Sequence, residues 1–262
     1  MTRLLFSGAA AAVLMLGSSA LAADLPTSAT IVAKAPSPIT RSWTGWNAGV
    51  SLGARWADVD GTTIAFRGGP PPFPSQATFS YDSTTFRVGG YLGYDWQFAP
   101  KWLAGIEGDF AWGNGSKRAE FLQGATPANI GNFSEFKHTW DAGIRGRIGY
   151  LFTPTWLLYL TGGGQWQHVE ATVNCGILTC GPTVIPADPN NTPFLQTNST
   201  TRFGWTLGGG LEAMFSGNWM ARLEYRYADY GTWHTTFGPI SQITKDFAVK
   251  TNTALVGIGR KF

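Results

Sequence analysis

Residues 84–113 read TTFRVGGYLGYDWQFAPKWLAGIEGDFAWG. Phe86, Val88, Gly90, Leu92, Tyr94, Trp96 and Phe98 take every second position of the first arm, and Trp102, Ala104, Ile106, Gly108, Phe110 and Trp112 do so in the second. Arg87, Tyr91, Asp95, Gln97, Glu107 and Asp109 fall on the alternate face. A period of two predicts strands with one apolar and one polar or small face. Only Ala99-Pro100-Lys101 separates the arms, so they form an antiparallel hairpin. Two features distinguish a membrane strand from a soluble one here. The apolar face carries aromatics at both ends and smaller residues between, the pattern of interfacial girdles. The other face mixes acids, bases and glycines, which suits a tight polar interior. At ~3.3 Å rise and about 45° tilt, the roughly 10 residues from Trp102 to Trp112 span about 23 Å of membrane normal.

Composition agrees. The chain of 262 residues is 44% hydrophobic and 13% charged, with 34 glycines and 12 tryptophans. Many aromatics and glycines with few charges suit lipid-facing strands better than a soluble domain of this size. A net charge of +3 is too small to indicate nucleic acid or an acidic partner. No run of about 18 apolar residues occurs beyond the N-terminal leader, so no spanning helix is expected. Residues 1–22 read as a secretory signal peptide, with Arg3, an apolar Leu4 to Leu16 stretch and Ala20-Leu21-Ala22 as the cleavage site. Residues 23–42, rich in Ala, Ser, Thr and Pro, read as a periplasmic N-terminal linker. Residues 43–262 form the barrel domain.

The same alternation recurs through that domain. A first strand, Gly45 to Val59, precedes a long loop containing Gly68 to Pro74. A second loop, Asn114 to about Glu135, leads to a fourth strand with Phe136, His138, Trp140, Ala142 and Ile144 outward. The fifth strand is Trp156 to Trp166, and the loop His168 to Thr200 follows it. The sixth and seventh strands flank Ser216-Gly217-Asn218, and a loop from Asp229 to Asp246 leads to the last strand. Counting back from Phe262 puts Asn252 and Lys250 toward lipid, where they fit poorly. A bulge near Asn252 is therefore expected to return Phe247 and Val249 to the lipid side. Three-residue turns alternate with long loops, and an aromatic stands at the turn-side end of every strand. The fold class is all-β, an eight-stranded antiparallel transmembrane β-barrel with long external loops and short periplasmic turns.

Ala23-Asp24-Leu25-Pro26, Lys34-Ala35-Pro36, Trp43-Thr44-Gly45-Trp46 and the ending Asn252-Thr253, Val256-Gly257, Lys261-Phe262 carry a family resemblance. The chain resembles the small outer-membrane β-barrel proteins of proteobacteria, the OmpA-like barrels of porin-family or surface-antigen type. The resemblance implies location in the outer membrane, contact with its lipid and lipopolysaccharide, and Phe262 as the signal to the barrel-assembly machinery. Two positions depart from the family: Arg260 replaces a usual aromatic and Leu255 an inward arginine.

Inward charges are the most informative chemistry. Arg55, Arg87, Arg145, Arg147, Arg202, Arg222 and Arg226 share the interior with Asp95, Glu107, Asp109, Asp141, Glu212 and Glu224. So narrow a barrel holds little but side chains, and buried ions need partners, so a salt-bridged, largely closed lumen is expected. A narrow path for small solutes is the alternative. Counting from the turns sets Glu212 opposite Arg222, Glu107 opposite Arg147 and Asp109 opposite Arg145. No acid is marked as a catalytic group, and His138, His168 and His234 stand at no nucleophile or metal-ligand spacing. Neither enzyme activity nor a cofactor is expected. Cys175 and Cys180 lie in an external loop of an exported chain, which favours a local disulfide. The external ligand, if one exists, has no recognisable motif. A structural or surface-interaction role is the expectation.

Overall fold

The computed structural model describes residues 42–66, 78–119, 133–175, 193–238 and 243–262. The signal-peptide reading and all of the linker but Ser42 lie outside the described residues. The strands are β1 (Gly45–Phe66), β2 (Thr78–Ala99), β3 (Trp102–Ala119), β4 (Phe133–Thr153), β5 (Trp156–Cys175), β6 (Phe194–Met214), β7 (Trp219–Phe237) and β8 (Ile243–Lys261). They close in sequence order into an antiparallel barrel, with β8 paired to β1. No described helix is long and apolar enough to cross a membrane, and the crossing is made by strands.

The lower half has the inside-out chemistry of a membrane barrel. Val50, Leu52, Ile106, Leu160, Leu207, Leu223 and Ile258 all point outward and exposed. A continuous apolar belt of this kind needs lipid to cover it. Trp46, Phe98, Trp102, Phe152, Trp156, Phe215, Trp219 and Phe262 ring its turn side. Trp56, Trp112, Trp205 and Phe203 mark the opposite rim, where the rings of Trp166 and Phe203 lie 5.2 Å apart and those of Phe110 and Trp112 4.5 Å apart.

Above that rim the strands continue, so several expected loops are instead ladder. The fifth strand runs on to Cys175, not Trp166, and the sixth begins at Phe194. The reason is visible in β5, which never changes phase. Its inward side runs Leu157, Tyr159, Thr161, Gly163, Gln165, Gln167, then Val169, Ala171, Val173 and Cys175. Its outward side runs from Leu158 and Leu160 to His168, Glu170, Thr172 and Asn174. Past the membrane the two faces exchange chemistry, because water now covers the outside. A reading tuned to lipid-facing strands takes this reversed stretch for a loop.

The upper half also parts along two lines. The β2–β3 ladder stops at Val88↔Trp112 and the β6–β7 ladder at Trp205↔Asp229. The other ladders continue outward, as far as Thr62↔Thr78, Phe66↔Ile243, Ala119↔Ser134, Phe133↔Asn174 and Cys175↔Phe194. The external half is thus two facing sheets, β7-β8-β1-β2 and β3-β4-β5-β6, with a largely apolar core between them. Val59, Tyr230, Trp233, Phe237, Phe247 and Val249 meet Phe136, Val169, Ala171 and Val173 there. The Phe136 and Phe247 rings join the sheets at 5.4 Å.

Two expectations about facing are corrected. Phe136 and His138 point inward and are buried, because register shifts between His138 and Asp141 insert a bulge that reverses the phase of β4. The last strand has no bulge near Asn252: β8 pairs with β1 without a break from Lys261 to Lys245, and Phe247 and Val249 face the interior. Asn252 lies opposite Trp56 at the upper rim and Lys250 opposite Asp58 beyond it. Both therefore stand where polar groups are tolerated.

Candidate functional site

Alternation brings the inward charges of the lower half together. Lys261, Asn47 and Asp95 lie nearest the periplasmic turns, with Lys261 Nζ 3.0 Å from Asp95 and Asn47 donating to it at 2.9 Å. Arg147 grips Asp95 at 2.5 Å and Glu212 at 2.8 Å. Arg222 contacts Glu212 at 2.5 Å and Glu107 at 2.6 Å. Arg145 bridges Glu107 at 3.0 Å and Asp109 at 2.5 Å. Asp109 also receives Arg87 at 2.6 Å and Arg226 at 2.9 Å. Arg226 pairs with Glu224, which accepts the Tyr159 hydroxyl at 2.5 Å. Uppermost, Asp141 receives Arg55, Arg87 at 2.7 Å and Gln165 at 3.2 Å.

Each of the six carboxylates thus touches at least two cations, and every side chain of the network is buried. Multiple charge-assisted bonds are what make burial of ions tolerable. Small residues make the room. A Cβ on Gly105 would stand 2.4 Å from Asp95 Oδ1, and one on Gly143 would stand 2.8 Å from an Arg145 nitrogen. Tyr91 covers the network from the side, with Arg222 4.0 Å over its ring.

The expected pairs fare unevenly. Glu212 is opposite Arg222, as the tight turn requires. Glu107 is opposite Arg145 rather than Arg147, and Asp109 is opposite Gly143. The cause is stagger: Trp102 pairs with Tyr150, not Phe152, because tilted strands slip past one another in a closed barrel. Arg202 leaves the network altogether. It sits above the rim and donates to the Thr232 carbonyl at 2.9 Å.

Three participants escaped the sequence reading. Lys261 is buried against Asp95, although counting back from Phe262 by twos already turns it inward. Tyr159 is buried against Glu224. Trp43 is the least legible, since it precedes β1. Its indole is fully buried in the periplasmic mouth with Leu103, Leu151, Leu157, Met214 and Met220, and donates to the Pro154 carbonyl at 3.1 Å. It packs into the lower end of the barrel interior.

The remaining candidates are dispersed. His138 is inside the upper half against Phe136, His168 stacks on Trp140, and His234 contacts Asp246 at 2.5 Å. Among the described residues, no three His, Cys, Asp or Glu side chains cluster as metal ligands. Cys175 ends β5 and Cys180 lies outside the described residues. Phe262 is exposed at the lower rim, its amide bonded to the Trp46 carbonyl at 2.8 Å.

An apolar belt between aromatic rims, closed strands and an interior of paired charges define an outer-membrane β-barrel. The chain belongs to the family of the outer membrane protein beta-barrel domain, whose model matches residues 8–262. It is 29% identical over 260 residues to the 31 kDa outer-membrane immunogenic protein of Brucella melitensis, covering 95% of each chain. It is 30% identical over 192 residues to the 22 kDa outer membrane protein of Rhizobium leguminosarum, covering 72% of each. Among solved structures it is similar to OprG from Pseudomonas aeruginosa at 14% identity and a TM-score of 0.46, covering 84% of this chain and 96% of that one.

Proposed function

We propose that this outer-membrane protein is a non-enzymatic structural and surface protein whose lumen is closed. The continuous chain of ion pairs from Asp141 down to Asp95 and Lys261 carries this reading. With Trp43 below it and the apolar core above it, a water column has no continuous polar path. The work is then left to the outside: the upper half holds its polar outer face clear of the membrane, in contact with lipopolysaccharide. The relatives named as immunogenic outer-membrane proteins fit a chain whose exterior is met by other molecules. Phe262, exposed at the strand end, is the assembly signal, and Cys175 bonds Cys180. Planar-bilayer recording on refolded protein tests the reading. Negligible steady conductance is expected, and large, stable channels from the unaltered chain would replace it with a small-solute pore.

A further inference from the structure

The buried charges of the lower half balance everywhere but at the top. Below Asp141, the cations Arg145, Arg147, Arg222, Arg226 and Lys261 match the carboxylates Asp95, Glu107, Asp109, Glu212 and Glu224 one for one. The uppermost layer instead sets two cations, Arg55 and Arg87, on the single carboxylate of Asp141. Arg87 also reaches Asp109 at 2.6 Å, but Arg145 and Arg226 already hold that group. Among the described residues no carboxylate is buried higher up, where Lys245 is buried instead. The layer therefore carries one positive charge in excess.

The same layer gathers polar atoms that the protein leaves unmatched. Register sets Arg55 opposite Thr85, two residues before Arg87, and Asp141 opposite Gln167. Gln165, the next inward residue of β5, donates to Asp141 at 3.2 Å, and His138 adjoins Arg55 and Gln167. All six of these side chains, from Arg55 to Gln167, are 5% exposed or less. Arg55 meets Asp141 through Nη2, and Arg87 meets its carboxylates through Nε and Nη2. The Nη1 of each guanidinium has no partner among the described residues. Neither ring nitrogen of His138 and neither amide atom of Gln167 completes a hydrogen bond there. The two Nη1 groups and the Gln167 amide nitrogen can only donate. Buried donors are matched in nearly every protein interior. Water could accept from them, but it brings no charge to offset the surplus cation.

We infer that this layer binds one small monovalent anion of the halide class, held by Arg55 and Arg87, with the Gln167 amide and the His138 ring as further donors. A single negative charge balances the layer, and a halide accepts from several donors at once. Bonds from guanidinium to an anion are among the strong ones. An interior filled by side chains favours a monatomic ion over a bulkier acid. With ion pairs below it and the apolar core above, the anion is taken up as the ring closes and is part of the folded barrel.

Refolding the full barrel in mixtures of sodium chloride and sodium gluconate at one ionic strength tests this, since gluconate is too large for the site. The urea midpoint of heat-dependent gel mobility should rise with the chloride fraction. Once chloride exceeds its dissociation constant, each tenfold increase should raise the folding equilibrium constant by about tenfold. Arg55→Gln removes the surplus charge and leaves Asp141 with Arg87, so its midpoint should be the same in both salts. Arg87→Gln removes the same charge and stands in if Arg55→Gln does not fold. Lys137→Gln, outward on β4, should keep the full chloride dependence. Crystals of the refolded protein grown in sodium bromide should show an anomalous bromide peak in contact with both Arg55 and Arg87. Equal midpoints in the two salts for the unaltered chain, a dependence that survives Arg55→Gln or Arg87→Gln, or no bromide at those two arginines would each overturn the site.

Discussion

The two halves of this barrel use the same strands and opposite chemistry. Below the upper rim the outside is Leu, Val, Ile and Trp and the inside is Arg, Asp and Glu. Above it the outside is Asp58, Lys137, Glu170 and Thr172, and the inside is mostly Val, Phe, Trp and Tyr, with Ser134, His138 and Lys245 buried among them. Lipid cannot hydrogen-bond, so the lower half keeps its charges inside and pairs them. Water rewards apolar burial, so the upper half folds as a sandwich of two sheets. A single strand such as β5 satisfies both solvents without a bulge, since only side-chain identity has to change. The lower half is therefore held by charge pairing inside a closed ladder, and the upper half by packing across two seams.

That contrast is best broken from inside the lower half. Among the described residues, Asp141 is the only carboxylate paired with Arg55, and it also holds Arg87 and Gln165. Asp141→Ala should lower barrel stability by roughly 3–5 kcal/mol, as expected when a buried cation loses its partner. A urea titration of heat-dependent gel mobility measures it. Glu212→Ala should cost less, because Arg222 keeps Glu107 and Arg147 keeps Asp95. Equal losses in the two variants would show that the network does not act through local pairing.

In the upper half the corresponding lever is packing. Phe247→Ala removes a ring packed on Phe136 and Trp233, at a cost of about 3 kcal/mol. The loss should be confined to the external sheets, read as faster exchange there with the lower ladder unchanged. A global loss would mean that the halves unfold as one unit. A matched pair sharpens the solvent argument further. Leu160→Arg places a charge in the middle of the lipid-facing belt and should cost about 2–4 kcal/mol. Ser199→Arg, outward in the upper half, should stay within about 0.5 kcal/mol. A modest effect is expected at the bend in β7. Gly231 has a φ of 65°, and a Cβ there would meet nothing within 4 Å, so Gly231→Ala should cost only about 1 kcal/mol through backbone strain. Chemical denaturation followed by exchange at 230–238 resolves it.

Much of this is written locally. Alternation in Thr84 to Gly113 decides which side chains meet lipid, because the period of a strand is a property of neighbouring residues. The short Ser216–Asn218 turn sets Glu212 opposite Arg222 for the same reason. The aromatic rims and the even strand number follow from the same reading. Less local facts were not legible. Glu107 meets Arg145 and Arg222 because of the stagger between tilted strands. No single strand encodes that stagger. Arg202 shares the inward parity of the lumen charges, yet it ends as part of a seam because β7 bends away at Gly231, on another strand.

The sequence by itself determined the strand count, the lipid face of the lower half, the turns and most of the charges buried there, since each depends on spacing along the chain. Only the tertiary structure decided which charges pair, where the strands leave the membrane and where the wall parts. Those depend on closure of the ring and on which solvent each level meets.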